Sequence, residues 1–281
     1  MQEEKVHTGL ILNFPEPDHY VLGAVETLDR FPEPDINPSG NWSQWLREAE
    51  IQRQYGFDPQ SCAVLHTLKA WIVLSRFHGF WDFPQDLSER YTGVMSGTTP
   101  AGTDPHVVAE TTRKDAGALP EESMPWNEPE IDTWPEYYNR AQAYNNLAFA
   151  KKLLDRYELG HKWIWAFGEK LSKEEKTARL REALKVGTVC VSVSGRYRTR
   201  SGSYFKDPGE RDTHWTFISH LEKNGARIAN DSYEPVIKRF EADYDHDGAK
   251  GYFLKRKEEK VKNFWSVIWD TFANLNLWKT H

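Results

Sequence analysis

The 281-residue sequence has little cysteine and no long apolar run, and each shortage excludes a class of protein. Its two cysteines, Cys62 and Cys190, lie far apart and form no CxxC pair. A disulfide framework and a structural zinc knuckle are therefore excluded as organising principles. No stretch approaches the 18 apolar residues of a membrane span, and the first 20 residues lack a signal-peptide pattern. We therefore expect no membrane span and a reducing, cytoplasmic location in which a cysteine stays free for thiol chemistry.

An excess of positive charge is also missing. The chain has 36 basic and 42 acidic residues, a formal net charge of -6. Such a chain lacks the field that gathers polyanions, so we expect no nucleic-acid partner. The chain is instead rich in apolar and aromatic residues, with 39% hydrophobic residues and 12 Trp. That composition predicts a folded globule.

The first 50 residues are predicted to form an extended N-terminal arm. The pentapeptide FPEPD occurs twice in it, at Phe14–Asp18 and at Phe31–Asp35, and two prolines in five residues exclude helix. The first long helical pattern begins near Gln60 and runs to Phe77, with apolar residues at spacings of three and four. This pattern places Cys62 in the first turn of a helix.

Helical signals dominate residues 51–186 and strand signals dominate residues 187–255. Asp104 and Pro105 predict a helix start with a stop at Gly117, and the capping box Ser172-x-x-Glu175 begins a helix that ends by Gly187. Alternation then predicts a half-buried strand over 189–193. Strands over 214–221 and 226–229 follow, joined by the turn Glu222-Lys-Asn-Gly225. The order predicts an α+β fold, a helical lobe facing an antiparallel sheet lobe with a cleft between them.

One set of side chains in this arrangement can carry chemistry. A helix N-terminus favours negative charge, so a thiol at Cys62 is expected to ionise readily. His214 is the first residue of the predicted hairpin, and Asn230 and Asp231 follow the second strand of that hairpin. Paired strands would bring one of these two beside the imidazole and fix its tautomer.

Three blocks of the sequence resemble those of papain-like cysteine peptidases, most closely the divergent variety carried by bacteriophages. They are Gln60-Ser-Cys-Ala63, Thr213-His-Trp215 and Asp231-Ser-Tyr233. Supporting similarity comes from Glu50-x-Gln52, from Phe57-Asp58 and from the stretch FPQDLSERYTGVMSGTTPAG. The likeness covers roughly residues 20–255 and implies a papain-like peptidase domain over 1–255.

The resemblance implies roles for three side chains. Cys62 would be the nucleophile, His214 the general base and then acid, and Asp231 the residue that orients the imidazole. Papain itself has asparagine at this last position, so Asn230 is a possible substitute. The implied reaction is hydrolysis of a peptide bond in a protein or peptide substrate through an acyl-enzyme, with no metal or organic cofactor.

The resemblance also implies an oxyanion hole. Gln52 fits the Glu-x-Gln block and is the preferred donor, while Gln54 is closer to the usual distance from the cysteine and is the alternative. The backbone N–H of Cys62 would be the second donor. Because Glu50 and Gln52 already belong to this block, we do not expect the whole arm to be a cleavable inhibitory segment.

Other functions fit the same residues. A Cys-His-Asp set can serve a transglutaminase-like enzyme or a peptidoglycan-cleaving thiol enzyme. The chain could also be an inactive papain-like scaffold that acts as a structural or virion component. If it is phage-encoded, the host cytoplasm is the expected location and the virion is a second one.

Two further segments lie outside the catalytic pattern. Residues 256–281 predict an amphipathic aromatic helix with Phe264, Ile268, Phe272 and Leu275 on one stripe, for docking on its own domain or on a partner. The run from Asp243 to Gly248 imitates the start of an EF-hand loop. Position 12 of that loop is Leu254 where a bidentate Glu is needed, so a solvated turn is expected there.

Overall fold

The computed structural model of the chain describes residues 9–13, 37–47, 50–53, 57–126 and 130–257. Its α-helices are α1 (Cys62–Phe77), α2 (Glu89–Met95), α3 (Pro105–Thr111), α4 (Trp134–Tyr137), α5 (Arg140–Ala150), α6 (Lys152–Arg156) and α7 (Lys173–Val186). Its strands are β1 (Tyr157–Trp165), β2 (Thr188–Val193), β3 (Thr199–Arg200), β4 (Ser203–Tyr204), β5 (His214–Leu221), β6 (Arg227–Asn230), β7 (Ile237–Phe240) and β8 (Ala249–Arg256). Both FPEPD copies, Gln54 and residues 258–281 of the predicted C-terminal helix lie outside the described residues.

Helix α1 is the centre of the molecule. It begins at Cys62, as the sequence predicts, and its residues are buried from Cys62 to Ser75. The helix packs against β2, β5 and β8 on one side and against α2 and α3 on the other. The helix is buried on all its faces, with polar His66 and Lys69 included, so it requires cover from both the sheet and the neighbouring helices.

The eight strands form one sheet in the order β1-β8-β2-β5-β6-β7-β4-β3. All pairs are antiparallel except β4 with β7. Strand β5 pairs with β6 through Phe217 and Asn230, so the chain leaving β6 returns toward the start of β5. The α+β prediction is confirmed, and the register explains how Asp231 reaches His214.

The helix and turn signals are confirmed where the structure describes them. Asp104 accepts a hydrogen bond from the backbone N–H of His106 at 2.7 Å and caps α3. Ser172 and Glu175 cap α7 reciprocally. The helical run after α3 continues as a π turn over 112–116 and stops at Gly117, whose φ is +68°.

Two local predictions differ from the structure. Strand β1 lies within the segment predicted to be mostly helical. Strand β2 is buried at all six residues rather than on one face. It lies between β8 and β5, with α1 and α7 packed against it, so both its faces are covered. Cys190 is therefore buried in the core.

The acidic turn after β7 is held by lysines. Lys173 lies 3.3 Å from Asp243, Lys176 lies 2.5 Å from Asp245, and Lys206 lies 2.7 Å from Asp247. Each carboxylate thus has a cationic partner, which fits the expected turn. Among the helices described, none is long and apolar enough to cross a membrane.

Candidate active site

Cys62 is the first residue of α1, at the end where backbone N–H groups have no helical partner. The approach to the helix is fixed by Asp58, whose carboxylate accepts the backbone N–H of Gln60 at 2.9 Å. Gln60 has a φ of +51°, so the chain turns sharply just before the helix begins. The thiol is fully buried.

His214 and Asp231 form a buried pair beside this thiol. Nε2 of His214 lies 2.9 Å from Oδ1 of Asp231, and both side chains are fully buried. Nδ1 is thereby left as the ring nitrogen that can serve Cys62. The structure thus brings Cys62, His214 and Asp231 together.

The charges of this group raise the pKa of His214. Burial by itself would lower that pKa, but the Asp231 carboxylate and then Cys62 favour the imidazolium and raise the value to about 9. Burial would also raise the pKa of Asp231. The His214 imidazolium and Lys238 outweigh this effect and hold the Asp231 pKa well below its usual range. At neutral pH the geometry therefore favours a protonated imidazole against an ionised carboxylate.

Asp231 is held by several donors. Oδ1 accepts the backbone N–H groups of Ser232 at 2.6 Å and Tyr233 at 3.1 Å. Oδ2 accepts the hydroxyl of Tyr197 at 3.0 Å and lies 3.5 Å from Nζ of Lys238. These bonds satisfy the buried carboxylate and fix its orientation toward the imidazole.

Aromatic rings enclose His214. The ring of Tyr233 lies 5.1 Å and that of Tyr197 lies 5.8 Å from the imidazole, measured between ring centroids. A third ring, His66, lies 5.9 Å away and nearly perpendicular. Of these three residues only Tyr233 belongs to a block identified from the sequence. Tyr197 and His66 were not predicted there, although His66 follows Cys62 by one helical turn and a residue at that spacing shares its face.

The other predicted residues are placed as follows. Gln52 is fully buried, and its side-chain Nε2 donates to Asp58 Oδ1 and to the Tyr233 hydroxyl, both at 2.8 Å. The Tyr233 hydroxyl in turn donates to the other Asp58 oxygen. Asn230 accepts Nζ of Lys69 at 2.8 Å. At His214 the structure thus places Asp231 rather than Asn230.

Residues 9–13, which we call the cleft segment, lie over the thiol. A β-carbon built on Gly9 would lie 3.0 Å from Sγ of Cys62 and 2.8 Å from the carbonyl oxygen of Gln60. The backbone N–H of Leu10 donates to the carbonyl of Thr213 at 3.1 Å, directly before His214. No local signal in the sequence predicts this contact.

The cleft segment is also tied to the loop that precedes α3. Thr103 donates to the carbonyl of Gly9 at 3.3 Å and accepts the N–H of Ile11 at 3.1 Å, which makes a parallel bridge. Asn13 donates to Asp104 at 2.9 Å. The segment therefore bridges the helical lobe and the start of β5, directly above Cys62.

A thiol at a helix N-terminus, an imidazole beside it and a carboxylate behind the imidazole form a set suited to nucleophilic acyl transfer. Such a set can provide a nucleophile, a proton carrier and a group that orients that carrier. Each member comes from a different part of the chain.

Solved structures of cysteine proteases resemble this chain in fold. The procathepsin B S9 of Trypanosoma congolense is similar with a TM-score of 0.56 and 13% identity, over 90% of this chain and 87% of that one. Procathepsin L2 from the larval midgut of Tenebrio molitor gives 0.51 and 14%, over 95% and 78%. Bromelain from Ananas comosus, solved with the E64 inhibitor, gives 0.50 and 12%, over 80% and 100%.

No protein-family model matches the chain, and no curated protein sequence matches it. At 12 to 14% identity the likeness to solved structures concerns the fold. The mixed architecture of helices and a mostly antiparallel sheet matches these structures at the level of fold. The chain therefore has a papain-like fold.

Proposed function

We propose that the chain hydrolyses peptide bonds through a Cys62 thiolate. The observation that carries this proposal is the buried 2.9 Å contact between His214 and Asp231 beside a cysteine that begins a helix. The agreement of the fold with cysteine proteases supports it. The divergent bacteriophage type and a location in a host cytoplasm or virion belong to the same proposal.

In the proposed reaction, the thiolate attacks the carbonyl carbon of a peptide bond and forms a tetrahedral oxyanion. His214 gives its proton to the leaving amine, and the C–N bond breaks to leave a thioester on Cys62. His214 then takes a proton from water, which attacks the thioester and releases the acid. Asp231 keeps the imidazole oriented and stabilises its charged form throughout.

The oxyanion would be held by the backbone N–H of Cys62 and by a glutamine amide. We propose Gln52 as that glutamine and keep Gln54 as the alternative. Both amide hydrogens of Gln52 are bonded in this structure, to Asp58 and Tyr233. As the donor, Gln52 would exchange one of these bonds for a bond to the oxyanion.

We further propose that the arrangement described here is a latent form. Gly9 lies against the thiol, and Cys62 and His214 are fully buried. A substrate carbonyl could reach the thiol only after the cleft segment leaves. Several solved structures with this fold are proforms of proteases, and a covering N-terminal segment fits that comparison.

The proposal is tested by replacing the thiol. Cys62→Ala should abolish hydrolysis of an unstructured protein substrate, while the control Cys190→Ala, at the buried second cysteine, should retain it. Both proteins are first checked for folding by circular dichroism. Hydrolysis that persists in Cys62→Ala would refute the proposal.

The same preparations distinguish the other thiol enzymes. Incorporation of a labelled amine into a protein substrate would indicate a transglutaminase-like transferase. Clearing of a cell-wall suspension would indicate a peptidoglycan hydrolase. If Cys62 reacts with iodoacetamide no faster than an ordinary thiol after the cleft segment is released, the inactive scaffold is favoured instead.

A further inference from the structure

His66 is a buried histidine with no assigned task. It lies one turn after Cys62 on α1 and is fully buried. Among the described residues, neither of its ring nitrogens has a hydrogen-bond partner. A buried imidazole with two unpaired nitrogens costs free energy unless something absent from the protein chain itself satisfies it, such as a water or an ion.

One ring nitrogen of His66 lies near a carboxylate and a second imidazole. One ligand atom each from His66, His214 and Asp231 lies within 4.8 Å of the others, and all three side chains are buried. Thr216, two residues after His214 on β5, also has an unpaired and buried hydroxyl oxygen in the described part of the chain. Unpaired polar atoms thus lie on both sides of the packed α1–β5 interface.

Two imidazoles and one carboxylate select a particular class of ion. This donor set suits Zn²⁺ and related transition-metal ions, whereas Mg²⁺ and Ca²⁺ prefer oxygen ligands. Tetrahedral ligands at about 2.0 to 2.1 Å from Zn²⁺ lie about 3.3 Å from one another. In this structure the three ligand atoms lie within 4.8 Å of one another. Side-chain shifts of about 1.5 Å or less would therefore bring them to the separation that Zn²⁺ requires.

We propose that His66, His214 and Asp231 form an inhibitory site for a Zn²⁺-class ion. His214 and Asp231 are 2.9 Å apart and share a hydrogen bond, so an ion bound by both must replace that bond. The ion takes the place of the proton that Nε2 shares with Asp231, so His214 is held as a neutral imidazole and loses the acidic imidazolium form that would protonate the leaving group through Nδ1. The regulatory part of this inference rests on the proposed function, whereas the binding site itself does not.

Neighbouring charges limit the affinity. Nζ of Lys238 lies 3.5 Å from Asp231, and the pKa of His66 is lowered first by burial and then by the charge of Lys69. Both cations oppose a bound metal ion, so the site depends on all three ligands. Removal of one ligand should then weaken binding about 100-fold, the upper end of what the loss of a supporting residue costs a metal site.

The experiment measures Zn²⁺ binding to the full chain by competition with a chromophoric chelator, followed until the signal is constant. The variants are His66→Phe, which keeps an aromatic ring of similar size, and Cys62→Ala. The control is His220→Ala, since His220 lies on the same strand as His214 but contacts Ser43 and Ser219. Co²⁺ absorption provides a second readout of the ligand geometry.

We expect one equivalent of Zn²⁺ bound by wild type, by His220→Ala and by Cys62→Ala, and about 100-fold weaker binding by His66→Phe. The same affinity in His66→Phe, no binding by wild type, or loss of binding in Cys62→Ala would each overturn the site. If His66→Phe fails to fold, His66→Gln replaces it and carries the same expectations.

Inhibition is measured separately, as the Zn²⁺ concentration that halves each variant's own metal-free rate. That concentration should rise about 100-fold in His66→Phe and remain unchanged in His220→Ala. If His66→Phe weakens Zn²⁺ binding but no preparation hydrolyses peptides, the metal site is supported and the proposed function is refuted. If binding follows His66 while inhibition does not, the regulatory part is overturned.

Discussion

The contact between Gly9 and Cys62 should be sensitive to a single methyl group. A β-carbon at Gly9 would lie 2.8 Å from the carbonyl oxygen of Gln60 and 3.0 Å from Sγ of Cys62. Both are closer than ordinary van der Waals contacts, and neither a helix-entry carbonyl nor a buried thiol can move away freely. Gly9→Ala should therefore displace the cleft segment.

The cover is held by little free energy. Three backbone hydrogen bonds and the Asn13–Asp104 bond contribute about 2 to 6 kcal/mol together. Burial of Leu10, which is 8% exposed, adds about 1.5 to 3 kcal/mol. Ordering the five residues of the segment costs about 5 to 10 kcal/mol. The gains are of the same size as the cost, so these terms favour the covered form by at most about 4 kcal/mol.

A clash can then shift the balance. Forcing an extra methyl into a filled site costs about 1 to 3 kcal/mol. Since about 1.4 kcal/mol corresponds to a factor of ten, Gly9→Ala should raise the ratio of open to covered molecules about 5-fold to 150-fold. Gly9→Val should raise it further.

The assay is the rate at which iodoacetamide labels Cys62, followed by mass spectrometry. Cys190 serves as an internal control, because it is fully buried and its thiol donates to the carbonyl of His66. The matched variant is Gly251→Ala, where a β-carbon would find its nearest neighbour at 3.8 Å. We expect faster labelling of Cys62 in Gly9→Ala only. An unchanged rate in a folded Gly9→Ala protein would refute the reasoning, whatever reaction the thiol performs.

Three other predictions concern the charges of the site and the oxyanion donor. In Asp231→Asn the pKa of His214, measured by NMR titration of the imidazole, should fall from about 9 toward 6.5 because the carboxylate that favours the imidazolium is gone; an unchanged value would contradict the assigned cause. Burial raises the pKa of Glu121 from 4.5 to about 8, and that of His214 is raised to about 9, so both groups bind protons more tightly in the folded state. The stability that each group contributes is complete below the pKa it has in the unfolded chain. It is lost as pH rises through about 8 for Glu121 and about 9 for His214. The melting temperature should therefore fall between pH 5 and 9, and fall less in Glu121→Gln; equal slopes would exclude Glu121 as a cause. Finally, Gln52→Ala should lower kcat by about 10²-fold to 10³-fold with little change in KM, whereas the same loss in Gln54→Ala alone would assign the donor to Gln54.

Local signals predict the framework of the site well. The helix start at Cys62 follows from the apolar period of the segment after Gln60, and the capping residues of α3 and α7 define both helices. The Asn-Gly turn after β5 explains why Asp231 returns to His214. These features depend on residues close in sequence, whose effects on backbone conformation are strong.

Strand β1 and the position of His66 on α1 follow from periodicities in the sequence. Strand β1 alternates large apolar side chains at Tyr157, Leu159, Trp163 and Trp165, all of them buried. This alternation is typical of a strand, although it lies in a segment that was predicted to be mostly helical. The sequence also predicts that His66 lies on the same face of α1 as Cys62, since residues four apart share a helix face. Its approach to His214 was not, because it depends on how α1 packs against β5.

The position of the cleft segment could not be predicted locally, because two distant glycines permit it. Gly102 has a φ of +98°, and a β-carbon on it would lie 2.1 Å from the carbonyl oxygen of Gly9. Gly9 in turn leaves room for the thiol of Cys62 and the carbonyl of Gln60. A β-carbon at either position would meet backbone or thiol atoms at 3.0 Å or less, so the close approach of the cleft segment depends on both glycines. A glycine indicates that a backbone can be approached closely, but only the folded chain identifies what approaches it.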